Sequence, residues 1–219
     1  MPGRALIERR PWLLASIASA VAFAWLQGGP LPGVQLLVLK AAPMLLLAAY
    51  ALLRHRGNDT RILGLMIILE GIGAAFSDMF EDMASMVMAL GFAFGIGLFV
   101  VHRRERPSAS QKALAVALLL LTPVICQLVV HPGALAGWAP AGFGLVLGGM
   151  AASAWMSRFP RYRVGIGAVA IVIASILALY ALRLVEGGSL AQGLAWPLLY
   201  VGNLLMATGI TGELRARAG

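Results

Sequence analysis

Residues 69–83 read LEGIGAAFSDMFEDM. Glu70 interrupts a run that is otherwise apolar from Ile62 onward, and the stretch closes on three acids, Asp78, Glu81 and Asp82. An ionisable side chain in hydrocarbon is costly, so it is found where it faces a cavity or another polar group. Whether this run lies in hydrocarbon is decided by its surroundings. Apolar runs close to the ~17 to 25 residues needed to cross a bilayer recur along the whole chain with short connectors between them. The spans expected are 11–27, 34–53, 62–79, 84–101, 113–130, 140–157, 164–186 and 190–212, of which the first, third and sixth are short. No connector has the length or composition of a soluble domain. The fold class expected is an all-α membrane protein, a bundle of eight transmembrane helices forming one integral membrane domain over residues 1–219.

Composition agrees. Of 219 residues 60% are hydrophobic and 12% charged, against about 25% charged in an average soluble domain. The net charge of +8 would suggest nucleic acid in a soluble protein, but here the placement of the charges matters more than their sum. Arg4, Arg9, Arg10, Arg54, Arg56, Arg61, Arg103, Arg104, Arg106, Lys112, Arg158, Arg161, Arg163, Arg215 and Arg217 fall on the termini and the even connectors, 15 of the 17 basic residues. The odd connectors QGGPLPG, FEDMA, HPGALAGWAP and EGGS contain no Lys or Arg. That asymmetry predicts cytoplasmic N and C termini. The partners implied are membrane lipids with anionic headgroups, with no nucleic acid, and the location implied is the inner (cytoplasmic) membrane of a bacterium. The N-terminus has the basic and apolar regions of a signal peptide without an evident cleavage site, so a retained first helix is expected.

Cys126 is the single cysteine, which excludes an intramolecular disulfide and a multi-cysteine metal site. The 26 glycines point to close helix packing, and Pro43, Pro123 and Pro197 can each kink a span. GIGA opens both GIGAAFSD (71–78) and GIGAVAIVIAS (165–175), a faint echo that would fit a parallel duplication.

Two ionisable residues lie well inside spans. Lys40 is about 9 Å from the outer end of the second and Glu70 about 12 Å from the outer end of the third. Spans joined by a short loop are antiparallel neighbours, so Lys40 and Glu70 are expected to meet, either as an ion pair that fixes helix register or as part of a site. On a continuous helix Ser77 is within about 20° of Glu70 and Asp78 about 80° away, so one broad face carries all three. A deep and a shallow carboxylate beside a lysine form a plausible acid and base pair. Glu81 and Asp82 belong to the outer connector.

Other polar groups share faces: Pro123, Gln127 and His131; Tyr180 and Arg183; Trp196, Tyr200 and Asn203. Arg183 suits either a local pair with Glu186, snorkelling to the interface, or a lipid phosphate. Tyr200 and Asn203 suit either a site or hydrogen bonding between helices. His55 and His102 lie by one face and His131 by the other, so no histidine metal cluster forms. No GxSxG, P-loop or HExxH motif occurs, and no metal or cofactor is expected. What remains is carboxylate, lysine and hydroxyl chemistry in a lipid-facing bundle, which points to a lipid substrate.

KAAPMLLLAAY from Lys40, GIGAAFSDMF containing Asp78, GFAFGIGLFVVH closing on His102, GAVAIVIASILAL from Gly167 and YVGN from Tyr200 resemble, in order, the landmarks of the YhhN-like lysoplasmalogenases. The resemblance covers about residues 36–212. It implies a multi-pass hydrolase that cleaves the vinyl ether bond of a lysoplasmalogen, releasing a fatty aldehyde and a glycerophospho-base, with Lys40, Asp78, Tyr200 and Asn203 lining the site. The chain departs from the family where Ser175 stands in place of an aspartate and Asn203 in place of a glutamine. The candidate residues are therefore Asp78, Glu70 and Lys40 for catalysis and Tyr200, Asn203, Arg183, Ser175 and His131 for substrate. The alternative is a lipid-binding or small-solute transport protein without catalysis.

Overall fold

A computed structural model describes residues 10–27, 33–130, 137–181 and 190–218. The helices are α1 Arg10–Leu26, α2 Gly33–Arg54, α3 Asn58–Phe76, α4 Glu81–Val101, α5 Ala109–Val129, α6 Ala139–Met156, α7 Ile166–Ala181 with a π-turn at Arg161–Gly165 leading into it, and α8 Leu190–Ala218. Among the described residues there is no β-strand, only one isolated bridge between Arg103 and Ser157. Six helices of the described residues, α2 and α4 to α8, are long and apolar enough to cross a membrane. This is an integral membrane protein. The two remaining helices are α1, apolar but 17 residues long, and α3, which has 19 residues but carries Asp59, Arg61 and Glu70.

The helices follow the expected spans, with three informative differences at their ends. Helix α4 begins at Glu81 rather than at 84, because Glu81 and Asp82 in its first turn face the positive end of the helix dipole. Helix α8 runs past 212 to Ala218, its last turn carrying Arg215 and Arg217 at the negative end. There Arg217 Nε also donates to Glu213 Oε1 at 3.1 Å. Helix α3 stops at Phe76, and Ser77 to Met79 form a turn closed by the Met79 and Phe80 amides donating to the Phe76 carbonyl.

The chain packs as two compact units. The first runs to Phe94 and takes back the residues from Thr211 onward; the second holds Gly95–Ile210. In the first unit α2 packs against α1 and α3. The buried Ser16 hydroxyl donates to the Pro43 carbonyl at 2.7 Å, tying α1 to α2. Glycines set the spacing elsewhere: a Cβ on Gly71 would lie 2.6 Å from Met44 Cβ, and one on Gly73 would lie 2.8 Å from the Ala84 carbonyl oxygen. Met44, Leu47, Leu63, Met66 and Ile67 fill the interior between them.

In the second unit α5 lies along α6, with Gly144 against Pro123 and Cys126 and Gly148 against Leu118 and Thr122. The Gln127 side chain spans the connection, donating to the Gly137 carbonyl at 3.3 Å and accepting from the Ala141 amide at 3.2 Å. Gln127 therefore holds the start of α6, and Gly137 supplies the left-handed turn there with φ +72°. Helices α7 and α8 cross where Gly167 and Gly202 meet: a Cβ on either would sit within 2.7 Å of the other's carbonyl oxygen. Because the obstacle on both sides is backbone, Gly167→Ala and Gly202→Ala are each expected to destabilise by about 1 to 3 kcal/mol. Thermal unfolding in detergent measures this; unchanged midpoints would mean that the crossing is looser than these distances state.

The two GIGA segments do not occupy equivalent places. Gly71 and Gly73 lie near the end of α3, whereas Gly165 is in the π-turn that precedes α7 and Gly167 is at that helix's start. Helices of one orientation would carry a repeated motif at one depth, so the echo reflects packing needs rather than a duplication.

Candidate functional site

The first unit brings three of the expected residues together at one end of α2 and α3. Lys40 Nζ donates to Asp78 Oδ2 at 2.8 Å and to Ser77 Oγ at 3.2 Å. Ser77 Oγ donates to the Ala74 carbonyl at 2.9 Å and lies 3.3 Å from Asp78 Oδ1. The lysine side chain is 11% exposed and the aspartate 70%. A buried cation thus reaches from the helix interior to a carboxylate at the rim.

Local geometry explains the choice of partner. Side chains on a helix lean toward its N-terminus, which for Lys40 means toward the start of α2 and so toward the end of its antiparallel neighbour α3. The Gly71 to Met44 contact fixes the axial offset. One turn back along α2 from Met44 is Lys40, and one turn forward along α3 from Gly71 is Ala75, just below the Ser77–Asp78 turn. The negative end of the α3 dipole adds to the attraction for the ammonium group.

The expected meeting of Lys40 with Glu70 is corrected by the same geometry: Lys40 gives its hydrogen bonds to Ser77 and Asp78. Glu70 lies about 7 Å farther along α3 than the level of Lys40, and its side chain leans the opposite way. It is fully buried, and a Cβ on Gly91 would lie 3.5 Å from Glu70 Cγ, which places the glutamate against α4. Ser77 is the C-cap of α3 and keeps helical backbone, with φ −57° and ψ −29°. Glu81 and Asp82 are exposed, as expected, but helical.

The second unit gathers a separate polar group on α7 and α8. Trp196 and Tyr200 stack at i and i+4, with ring centroids 5.8 Å apart and planes 5° from parallel. Both are buried, as is Asn203, whose Nδ2 donates to the Leu199 carbonyl at 3.2 Å. Ser175 continues the Gly167 and Ile171 stripe by one turn and is 4% exposed, and its hydroxyl has no hydrogen-bond partner among the described residues. Tyr180 is exposed. His131, Arg183 and Glu186 lie outside the described residues.

Ser77 does more than share a face with Glu70, and a hydroxyl beside an aspartate at a helix end is a signal visible in the sequence. Gln127 was grouped with His131 as a polar face, and its clamp on α6 had no signature in the sequence. No cluster of metal-ligating side chains occurs among the described residues. Comparison with family models, curated proteins and solved structures returns no match.

Proposed function

We propose that this protein is a membrane-embedded hydrolase that cleaves the vinyl ether bond of lysoplasmalogen-type lysolipids. The observation that carries the reading is the Lys40–Ser77–Asp78 cluster, where a carboxylate at the rim of an apolar unit is held by a buried ammonium group and a hydroxyl. The ordered resemblance to the YhhN-like lysoplasmalogenases supports it.

In the step proposed, the Asp78 carboxylate, open to water at the rim, first takes up a proton from solvent and then delivers it to the vinyl carbon remote from the ether oxygen, leaving an oxocarbenium ion and the carboxylate again. Lys40 is aimed at the carboxylate that forms, so it stabilises the acid's product, and Ser77 positions the ammonium group by accepting from it. That carboxylate faces the oxocarbenium charge and takes a proton from the attacking water. The hemiacetal then collapses to a fatty aldehyde and the glycerol hydroxyl, with one water consumed. A single carboxylate serves both half-reactions, which suits a chain with Ser175 where the family has its other aspartate. Glu70, farther from the membrane surface, is given no part in bond cleavage. Tyr200 and Asn203 are assigned to substrate through the resemblance alone. Release of aldehyde by the purified protein tests the reading.

The non-enzymatic alternative, lipid binding or solute transport on the same fold, is favoured by one observation. A buried Ser175 hydroxyl stands where a second carboxylate is expected.

The topology proposed adds α1 and α3 to the six longer helices, giving eight spans with both termini cytoplasmic in a bacterial inner membrane. A reporter fused after Gly133 is expected to read as external. A cytoplasmic reading there would require a different number of spans.

A further inference from the structure

The α4–α5 and α6–α7 connectors are tied into one platform at four helix ends. The Arg158 amide donates to the His102 carbonyl at 2.8 Å and the Arg104 amide to the Met156 carbonyl at 3.0 Å, the pairing of a minimal antiparallel bridge. Phe159, 1% exposed, packs its ring on His102 and Phe99 with centroids 5.0 and 6.2 Å away. Arg158 is used internally: its Nε donates to the Arg103 carbonyl at 3.1 Å and its terminal nitrogen pairs with Glu105.

That pairing consumes the one acid of the two connectors. Arg103, Arg104, Arg106, Lys112, Arg161 and Arg163 are left with no ion-pair partner among the described residues. All but the half-buried Arg104 are exposed. Tyr162, between two of these arginines, is 84% exposed, an aromatic of the kind that anchors at the headgroup level. Arg163 has its stem against Gly209 of α8, so its root is fixed while its head remains free.

We propose that these tied connectors form a binding site for the phosphate of anionic membrane lipids, with Arg103, Arg106 and Arg161 as ligands and Arg158 as the strut that holds them. Unpaired guanidinium groups on a rigid backbone retain their charge and their forked donors for phosphate, and their place at helix ends puts them at headgroup depth. A free phosphate compound would not need Tyr162 turned outward beside them, which favours the lipid source. The site is independent of the Lys40–Asp78 cluster and of the hydrolase reading.

The test uses the full chain reconstituted in phosphatidylcholine bilayers doped with spin-labelled phosphatidylglycerol or spin-labelled phosphatidylcholine, reading the motionally restricted fraction of each. Wild type is expected to prefer phosphatidylglycerol. Each of Arg103→Gln, Arg106→Gln and Arg161→Gln is expected to lower that preference about fivefold at low salt, while the corresponding Lys variants, which keep the charge without the fork, retain only part of it. Equal association of the two lipids with wild type, or an unchanged preference in Arg161→Gln, would overturn the proposal. So would displacement of the labelled lipid by inorganic phosphate as effective as that by unlabelled phosphatidylglycerol, since the site would then belong to a soluble anion.

Discussion

Asp78→Asn is expected to lower fatty aldehyde release from a vinyl ether lysolipid by a factor of about 10² to 10⁴, the usual contribution of a positioned proton donor or acceptor. The amide keeps the shape of the side chain and can still accept from Lys40 Nζ. It can neither give a carboxylic proton to carbon nor carry negative charge opposite the oxocarbenium ion. Asp82→Asn is the matched control, because Asp82 is exposed in the first turn of α4, and it is expected to leave turnover unchanged. Ser175→Asp supplies the carboxylate found at this place in the YhhN-like pattern that the chain resembles, and is expected to raise turnover. Parallel assays of the three variants in one bilayer composition check all of this. Equal loss in Asp78→Asn and Asp82→Asn would point to a general electrostatic effect rather than to chemistry at Asp78.

The second large effect concerns stability and is asymmetric. In the Lys40–Asp78 pair the cation is buried and the anion mostly exposed, so the two single replacements strand different groups. Asp78→Leu leaves the ammonium group with only the Ser77 hydroxyl, and about 1 to 3 kcal/mol of stability is expected to be lost. Lys40→Met removes the buried charge and leaves an aspartate that water can solvate, so it is expected to cost less than about 1 kcal/mol. The double variant should be no less stable than Lys40→Met alone, a coupling on the order of 1 to 2 kcal/mol. Denaturation of the reconstituted protein gives the cycle. A parallel cycle between Lys40 and Glu70 is expected to close with little coupling; strong coupling there would reinstate the partnership that helix counting suggested.

Hydrophobic run length located the eight helices of the described residues, because the bilayer leaves the chain few other ways to satisfy its backbone. The ends were less legible. Helix α4 gained residues Glu81 to Met83 from charge at its N-terminus, and α3 lost its last turn at Ser77, neither of which hydropathy registers. At the site, sequence spacing placed Lys40 opposite Glu70 by counting residues from each helix end. The Gly71 to Met44 contact shifts the two helices by about a turn, and the lean of side chains along antiparallel axes sends Lys40 and Glu70 apart. Such an offset depends on which glycine meets which side chain, and hydrophobic periodicity is silent on it. Asp78, in the turn that follows α3, is a catalytic candidate from the sequence, but its bond to Lys40 depends on that turn. The Gln127 clamp and the Arg158 strut are long-range hydrogen bonds to backbone, made by residues whose type alone gave no hint of a partner.

The central claim is that protonation at carbon and hydration of an ether occur in this protein. Its most direct test is to give the purified chain, in a bilayer, a lysolipid with a vinyl ether chain in heavy water and to analyse the aldehyde and the glycerophospho-base released. The account predicts the two products in equal amounts, an aldehyde bearing one deuterium at the carbon next to its carbonyl, and loss of both products in Asp78→Asn. Wild-type protein that releases no more aldehyde than Asp78→Asn would contradict it.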